Sequence, residues 1–333
     1  MWVKTMLLDQ AKLGSVVVIL LAIGSYASLQ IGHVEIDFFS AISSPLYGIS
    51  SPDSIILWDL RMPRTLMCLI VGFGLGIAGA CLQGFLRNPL AEPSVVGISS
   101  AAALGAVVSI GLGFSTLGFY YTPAFSLGFA AIASWALLRL TNNASSKHSV
   151  ILIGIGISSL SGAFTTLILS LSENPFAINE IVFWMLGSVT DVSYYHVIMS
   201  TPLVILGSLF LLRNANSLNL MTLGEETAAS TGVNIPKLRR DTLIGTALTV
   251  GSITSVVGIV GFVGLVTPHI VRPFVKHEPR KTLIWTPPIA ALLVLLSDIS
   301  IRLLPTASEI KLGVLTALLG TPFFLYLVSK QRG

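Results

Sequence analysis

The chain has 333 residues, of which 53% are hydrophobic and only 10% charged, and its mean hydropathy is +0.85. That composition excludes an ordinary soluble protein and leaves no room for a separate soluble domain. The formal charge of +4 does not describe a nucleic-acid surface either, because the cations are scattered at the ends of apolar runs without a basic, aromatic-interleaved patch.

A membrane span takes roughly 20 apolar residues, so the chain is expected to be all-α, one polytopic transmembrane domain over 1–333 with about ten spans. Apolar runs and their breakers place the spans near 13–31, 63–85, 94–113, 120–140, 150–171, 193–212, 242–257, 259–275, 283–301 and 311–328. The first run follows Lys4 and Lys12 as a signal sequence would, yet no small-residue cleavage site follows it, and it is read as span one. In span two, Gly72, Gly76, Ala80 and Gly84 recur every four residues, a face on which a neighbouring helix can come close. Cys68 and Cys81 lie in the same span, about 20 Å apart along a helix, too far to pair. They are read as apolar filling. The tetrapeptide GISS at Gly48, Gly97 and Gly156 recurs at unequal intervals and is not a repeat.

Between spans six and seven lies the longest strongly polar interruption of the second half, Leu218 to Asp241. Thr222 and Glu225 have the spacing of a capping box, Glu225 and Glu226 suit a first helical turn, and Gly232 sits where a short helix would end. One short helix is expected, pinned between two spans and placed to pass a push from a soluble partner into the membrane; an ordinary connecting loop is the other reading. Asp241 to Arg272 is too short for two full crossings and is punctuated by Gly258, Gly261, Gly264 and Pro268. At least one crossing must be short or broken, which requires cover from protein or a cavity.

With a cytoplasmic N-terminus, the inner loops collect Lys4, Lys12, Arg87, Arg139, Lys147, Arg213, Lys237, Arg239, Arg240, Arg272, Lys276, Arg280, Lys281, Lys330 and Arg332, fifteen of the 19 Lys and Arg. The positive-inside rule therefore puts both termini and the polar interruption in the cytoplasm. Arg61, Arg64, Arg302 and Lys311 then face outward among the acids Glu35, Asp37, Asp53, Asp59, Glu173, Glu180 and Asp191. An outward cation cluster suits an acidic partner; equally, Arg61 and Arg64 could snorkel at a helix end while Arg302 pairs with Asp298 at i, i+4.

Several chemistries are missing. There is no GxxxxGK[ST] loop, so ATP hydrolysis by that route would have to come from another chain, and neither HExxH nor GxSxG occurs. His33, His148, His196, His269 and His277 show no paired metal-ligand spacing. Mid-span ionisable groups of the kind a gradient-driven carrier uses are nearly absent, Asp298 being the nearest candidate.

Taken together, Arg61-Met62-Pro63-Arg64, Gly79-Ala80-Cys81-Leu82-Gln83, Arg87-Asn88-Pro89-Leu90-Ala91-Glu92-Pro93, Gly97-Ile98-Ser99-Ser100, Trp184 to Ser188, Leu223-Gly224-Glu225, Gly261 to His269 and Gly320-Thr321-Pro322-Phe323-Phe324 form an ordered set. Over nearly its whole length the chain resembles the permease family of ATP-binding-cassette importers for iron-siderophore complexes, haem and cobalamin. Ala101, Ile259 and Lys311 depart from that pattern, where Gly, Pro and Pro are common.

The resemblance implies a type II importer permease fold in the bacterial inner membrane. It implies a two-subunit membrane core, two cytoplasmic ATP-binding subunits, and a periplasmic binding protein that delivers a metal chelate, with no bound cofactor or metal of the chain's own. Leu223, Gly224, Glu225 and Glu226 would couple to the ATPase, and Arg61, Arg64 and Arg302 would meet acidic residues of the binding protein. Gln83, Asn88, Pro89, Pro93, Gly97, Pro268, His269, Gly320 and Pro322 are motif positions with structural roles. Ser158 to Thr166 and Leu312 to Leu325 would line the translocation path. A carrier driven by an ion gradient, without an ATPase, is the alternative.

Overall fold

The computed structural model describes residues 10–44, 51–141, 147–305 and 308–330; Lys4, Arg332 and Gly48 fall outside them. The described residues are helical almost throughout. In chain order the elements are α1 (Gln10–Gln30), α2 (Phe38–Ser43), α3 (Pro52–Ile55), α4 (Met62–Leu86), α5 (Ile98–Gly111), α6 (Tyr121–Thr141), α7 (Lys147–Leu171), α8 (Pro175–Met185), α9 (Tyr194–Arg213), α10 (Ala215–Met221), α11 (Glu225–Ser230), α12 (Ile235–Val257), α13 (Val263–Val271), α14 (Pro279–Leu303) and α15 (Leu312–Lys330). A π-helical stretch, Ile56–Arg61, joins α3 to α4 without interruption.

Each of the ten apolar runs is helical. Six helices are long and apolar enough to cross a membrane, while α5, α13 and α15 are shorter. Helix α12 is long but rich in buried hydroxyls, among them Thr242, Thr246, Thr249, Ser252 and Ser255. Thr249 and Ser252 turn theirs back onto helix carbonyls at 2.9 and 3.0 Å, which keeps them satisfied inside the bundle. Helix α8 was not anticipated: Asn174 caps it through Phe176 N, with Pro175 in its first turn.

Helix α4 is the centre of the bundle, and small residues decide what it touches. A Cβ on Gly72 would lie 2.4 Å from Ala290 O, and one on Gly76 2.6 Å from Ala290 Cβ, so α14 rests directly on the four-residue stripe read from the sequence. On another face, a Cβ on Gly79 would meet Gly264 O at 2.1 Å, which brings α13 backbone to backbone with α4. Cys68 and Cys81 are free and buried in this core. The end of the bundle carrying α10 and α11 is called lower below, and the opposite end upper.

Candidate functional site

At the lower end the polar interruption forms two short helices rather than one. Helix α10 keys into the bundle through Leu218 and Met221, each 1% exposed, with Leu218 packed over Gly84 of α4. The expected capping box is not formed. Thr222 closes α10 and donates its hydroxyl back to Asn219 O at 2.6 Å, and no side chain caps α11. The N-cap of α11 is Gly224, at φ +109, a conformation open to glycine and strained for other residues. The outcome is a projecting knuckle: Leu223 is 61% exposed, and Glu225 and Glu226 occupy the first turn of α11. Gly232, at φ +96, ends the segment, and Asn234 caps α12 through Lys237 N at 3.0 Å.

Above the knuckle, the motif residues tie α4, the loop after it and α13 into one joint. Buried Gln83 donates to Gly264 O and Leu265 O, both at 3.2 Å, and accepts from Arg272 at 2.6 Å. Asn88 turns the loop by accepting from Leu90 N at 2.9 Å. His269 Nε2 lies 2.9 Å from the Pro89 carbonyl, and because a carbonyl only accepts, the proton sits on Nε2. Pro93 packs against Gly264, and Gly97, at φ +83, starts α5 with its Cα against Gly154 of α7. Pro268 is buried inside α13, and the His269 ring meets Phe323 edge-on at 6.4 Å.

The break expected between spans seven and eight lies at 258–262, and its backbone is stitched to its surroundings. Ser188 N donates to Val257 O at 2.7 Å and Gly313 N to Gly187 O at 3.1 Å. Phe262, at φ +66, donates its N–H to the Glu92 carboxylate at 2.5 Å. That bond puts a negative group at the start of α13, where the helix dipole favours it. Gly320 exists to admit Phe262, since a Cβ there would fall 2.3 Å from Phe262 Cβ. Beside this break lies an apolar cavity of about 710 Å³, bounded by Leu186, Ile259, Phe262, Gly313, Ala317 and Pro322. Residues of α15 bound this cavity, whereas Ser158 to Thr166 of α7 lie elsewhere, most of them exposed on the outside of the chain.

The upper arginines need a correction. They are gathered, but not as free outward cations: Arg61 and Arg302 are 6% and 7% exposed. Arg61 donates to Leu29 O and Gln30 O at 2.8 and 2.6 Å and also to Val34 O, while Arg302 donates to Ser28 O and Ile31 O at 2.7 and 2.8 Å. Both therefore cap the otherwise orphaned carbonyls at the end of α1. Arg302 also binds Asp298 at 2.6 Å, as the i, i+4 reading had it. Arg64 bridges Asp298, at 2.7 Å, and Glu309. Partial burial pushes the Glu309 carboxyl upward, and Arg64 more than offsets this, holding it below its ordinary value. Lys311 stands apart, 6.0 Å from the Phe183 ring centre. Sequence reasoning, though it quoted Glu92 and Phe262 within motifs, missed their pairing and the part of the α1 carbonyls; none carries a local signal of its partner.

Among the described residues no cluster of three His, Cys, Asp or Glu could hold a metal ion. What the arrangement offers is mechanical: an exposed knuckle, a joint and a broken helix beside an apolar cavity, all in one bundle.

Comparison with known proteins agrees with that picture. Residues 20–330 match the model of the FecCD transport family. The permease protein YvrB of Bacillus subtilis is 37% identical over 284 residues, 84% of this chain and 80% of its own. The hemin transport permease HmuU of Yersinia pestis is 32% identical, covering 94% of both chains, and the cobalamin import permease BtuC of Halobacterium salinarum is 34% identical over 88% of this chain and 78% of its own. A solved inward-facing metal-chelate type ABC transporter superposes with a TM-score of 0.84 at 30% identity, over 94% of this chain and 97% of that one.

Proposed function

The chain belongs to the FecCD transport family, and on that premise we propose that it is the membrane subunit of an ATP-driven importer that moves a metal chelate from periplasm to cytoplasm by alternating access. Ferric siderophore is the first chelate to consider, haem and cobalamin the next. The observation that carries the reading is the knuckle Leu223 to Glu226, exposed at Leu223 and Glu226, set on a helix whose buried Leu218 packs over Gly84 of α4. A segment that is exposed at its tip and rigid at its root suits the transfer of motion from a soluble motor.

In this reading the lower end and both termini are cytoplasmic, and two ATP-binding subunits seat on the knuckles of two permease copies, identical or paralogous. The apolar cavity becomes part of the path between the copies. A periplasmic binding protein docks over the upper ends of α4 and α14, where its carboxylates compete with Asp298 and Glu309 for Arg64. Rim charges of that kind chiefly steer docking and are sensitive to salt.

The test is uptake into proteoliposomes holding the permease with its cognate ATPase and binding protein, offered ferric siderophores, haem and cobalamin with and without ATP. Accumulation of one chelate only with ATP and the binding protein supports the reading. Uptake that ignores ATP and follows an imposed ion gradient overturns it. Asp298, the residue such a carrier would need, is fully buried and held between Arg64 and Arg302.

A further inference from the structure

The lower end holds a second large cavity, about 720 Å³, that the transport reading leaves unused. It lies below the crossing of α9 and α12, where Gly207 and Gly245 bring the two backbones together: a Cβ on Gly207 would sit 2.7 Å from Gly245 O. Its polar walls come from four elements. Arg213 ends α9, Ser217 belongs to α10, Thr231 follows α11, and Asn234, Lys237 and Arg240 open α12.

The cavity carries excess positive charge. Arg240 is balanced by Asp241, at 3.1 Å. Arg213 lies over the Phe210 ring at 5.3 Å, and among the described residues neither it nor Lys237 has an acidic partner. Three cations therefore face one carboxylate, together with amide and hydroxyl donors, which is the chemistry of a phosphate site.

What identifies the owner of the phosphate is the surface above. Ile198, Ile205, Leu209 and Leu212 are 69%, 55%, 49% and 37% exposed. Their spacing puts them on one face of α9, a bare apolar column about 20 Å long that runs down to Arg213. A soluble anion has no use for such a column, nor has an acidic side chain of a protein partner. We propose that this cavity binds the phosphodiester headgroup of an anionic phospholipid whose acyl chains lie along the α9 column. Because α10 and the end of α11 form part of the wall, an occupied site braces the segment that carries the knuckle. The site stands on charge and shape alone, whether or not the transport reading holds.

The experiment is native mass spectrometry of the full-length chain, titrated with phosphatidylglycerol or with phosphatidylcholine. Preferential retention of phosphatidylglycerol is expected. Each of Arg213→Gln and Lys237→Gln should weaken it about fivefold, and the pair about thirtyfold, whereas Lys276→Gln, an exposed cation outside the cavity, should not. The single variants keep the test alive if the double variant fails to fold. Equal retention of the two lipids, unchanged retention in the variants, or displacement by inorganic phosphate at millimolar concentration would each overturn the proposal.

Discussion

Arg64 and Asp298 stand 234 positions apart in the chain, yet the guanidinium of one donates to the carboxylate of the other through Nε at 3.0 Å and a terminal nitrogen at 2.7 Å. The pair joins α4 to α14 at their upper ends, about two helical turns above the contact of Gly72 with Ala290.

Removing the carboxylate leaves the buried guanidinium of Arg302 without an acidic partner, while Arg64 keeps only Glu309. Asp298→Ala should cost about 3–5 kcal/mol, read as a sharply lower melting temperature of the purified chain. Melting like the wild type would show that the cluster contributes little to the fold.

Glu309 makes the upper end sensitive to acid. Its folded-state pKa lies below the ordinary 4.5, so its contribution to stability is fully present above that value and is lost as the pH falls through the folded value. The melting temperature of the wild type should fall more steeply than that of Glu309→Gln when the buffer is taken below 4.5; parallel curves would remove Glu309 from the account.

The contact of Gly79 with Gly264 leaves no space for even a methyl group. Gly79→Ala should destabilise the chain by about 1–3 kcal/mol or more through overpacking. Gly128→Ala, in a helix with open space around it, should be neutral. Thermal unfolding of the two variants side by side separates close approach from a general effect of replacing glycine.

For Glu92 the sensitive readout is local. Cutting its bond to Phe262 with Glu92→Ala should speed amide hydrogen exchange at Phe262 to Val266, at the start of α13, and leave exchange in α14 unchanged. Exchange that rises equally in both helices would mean that Glu92 serves global stability and does not pin this turn.

At the knuckle, replacing Glu225 and Glu226 together by Lys should leave the chain folded and inserted but abolish ATP-driven uptake. Transport at the wild-type rate would sink the coupling assignment.

Much of the helical plan was legible because crossing a membrane demands long apolar runs, and Gly258 with Gly261 announced the break that follows α12. The close approach of a neighbouring helix to α4 was legible too, in the four-residue spacing of Gly72 and Gly76, but not that the neighbour is α14. Helix α8 escaped notice because eleven residues are too few to register as a span, although Asn174 and Pro175 mark its start. The capping box at Thr222 failed because spacing cannot say whether a hydroxyl serves the helix behind it or the one ahead. The arginines were misjudged for a related reason: side-chain charge is local information, whereas the carbonyls and carboxylates that absorb it come from distant parts of the chain.

The helix that runs without a break from Pro52 to Leu86 has 35 residues. At 1.5 Å per residue it is about 52 Å long, against a hydrocarbon core of about 30 Å. Some 20 Å of it must therefore lean or stand clear of the lipid. Arg61, fastened to the end of α1, sets the level above which Pro52 to Leu60 rises. Where that length stands clear instead of leaning, a protein that docked on the upper face would meet Pro52 to Leu60 first, and its own surface would have to leave room for them.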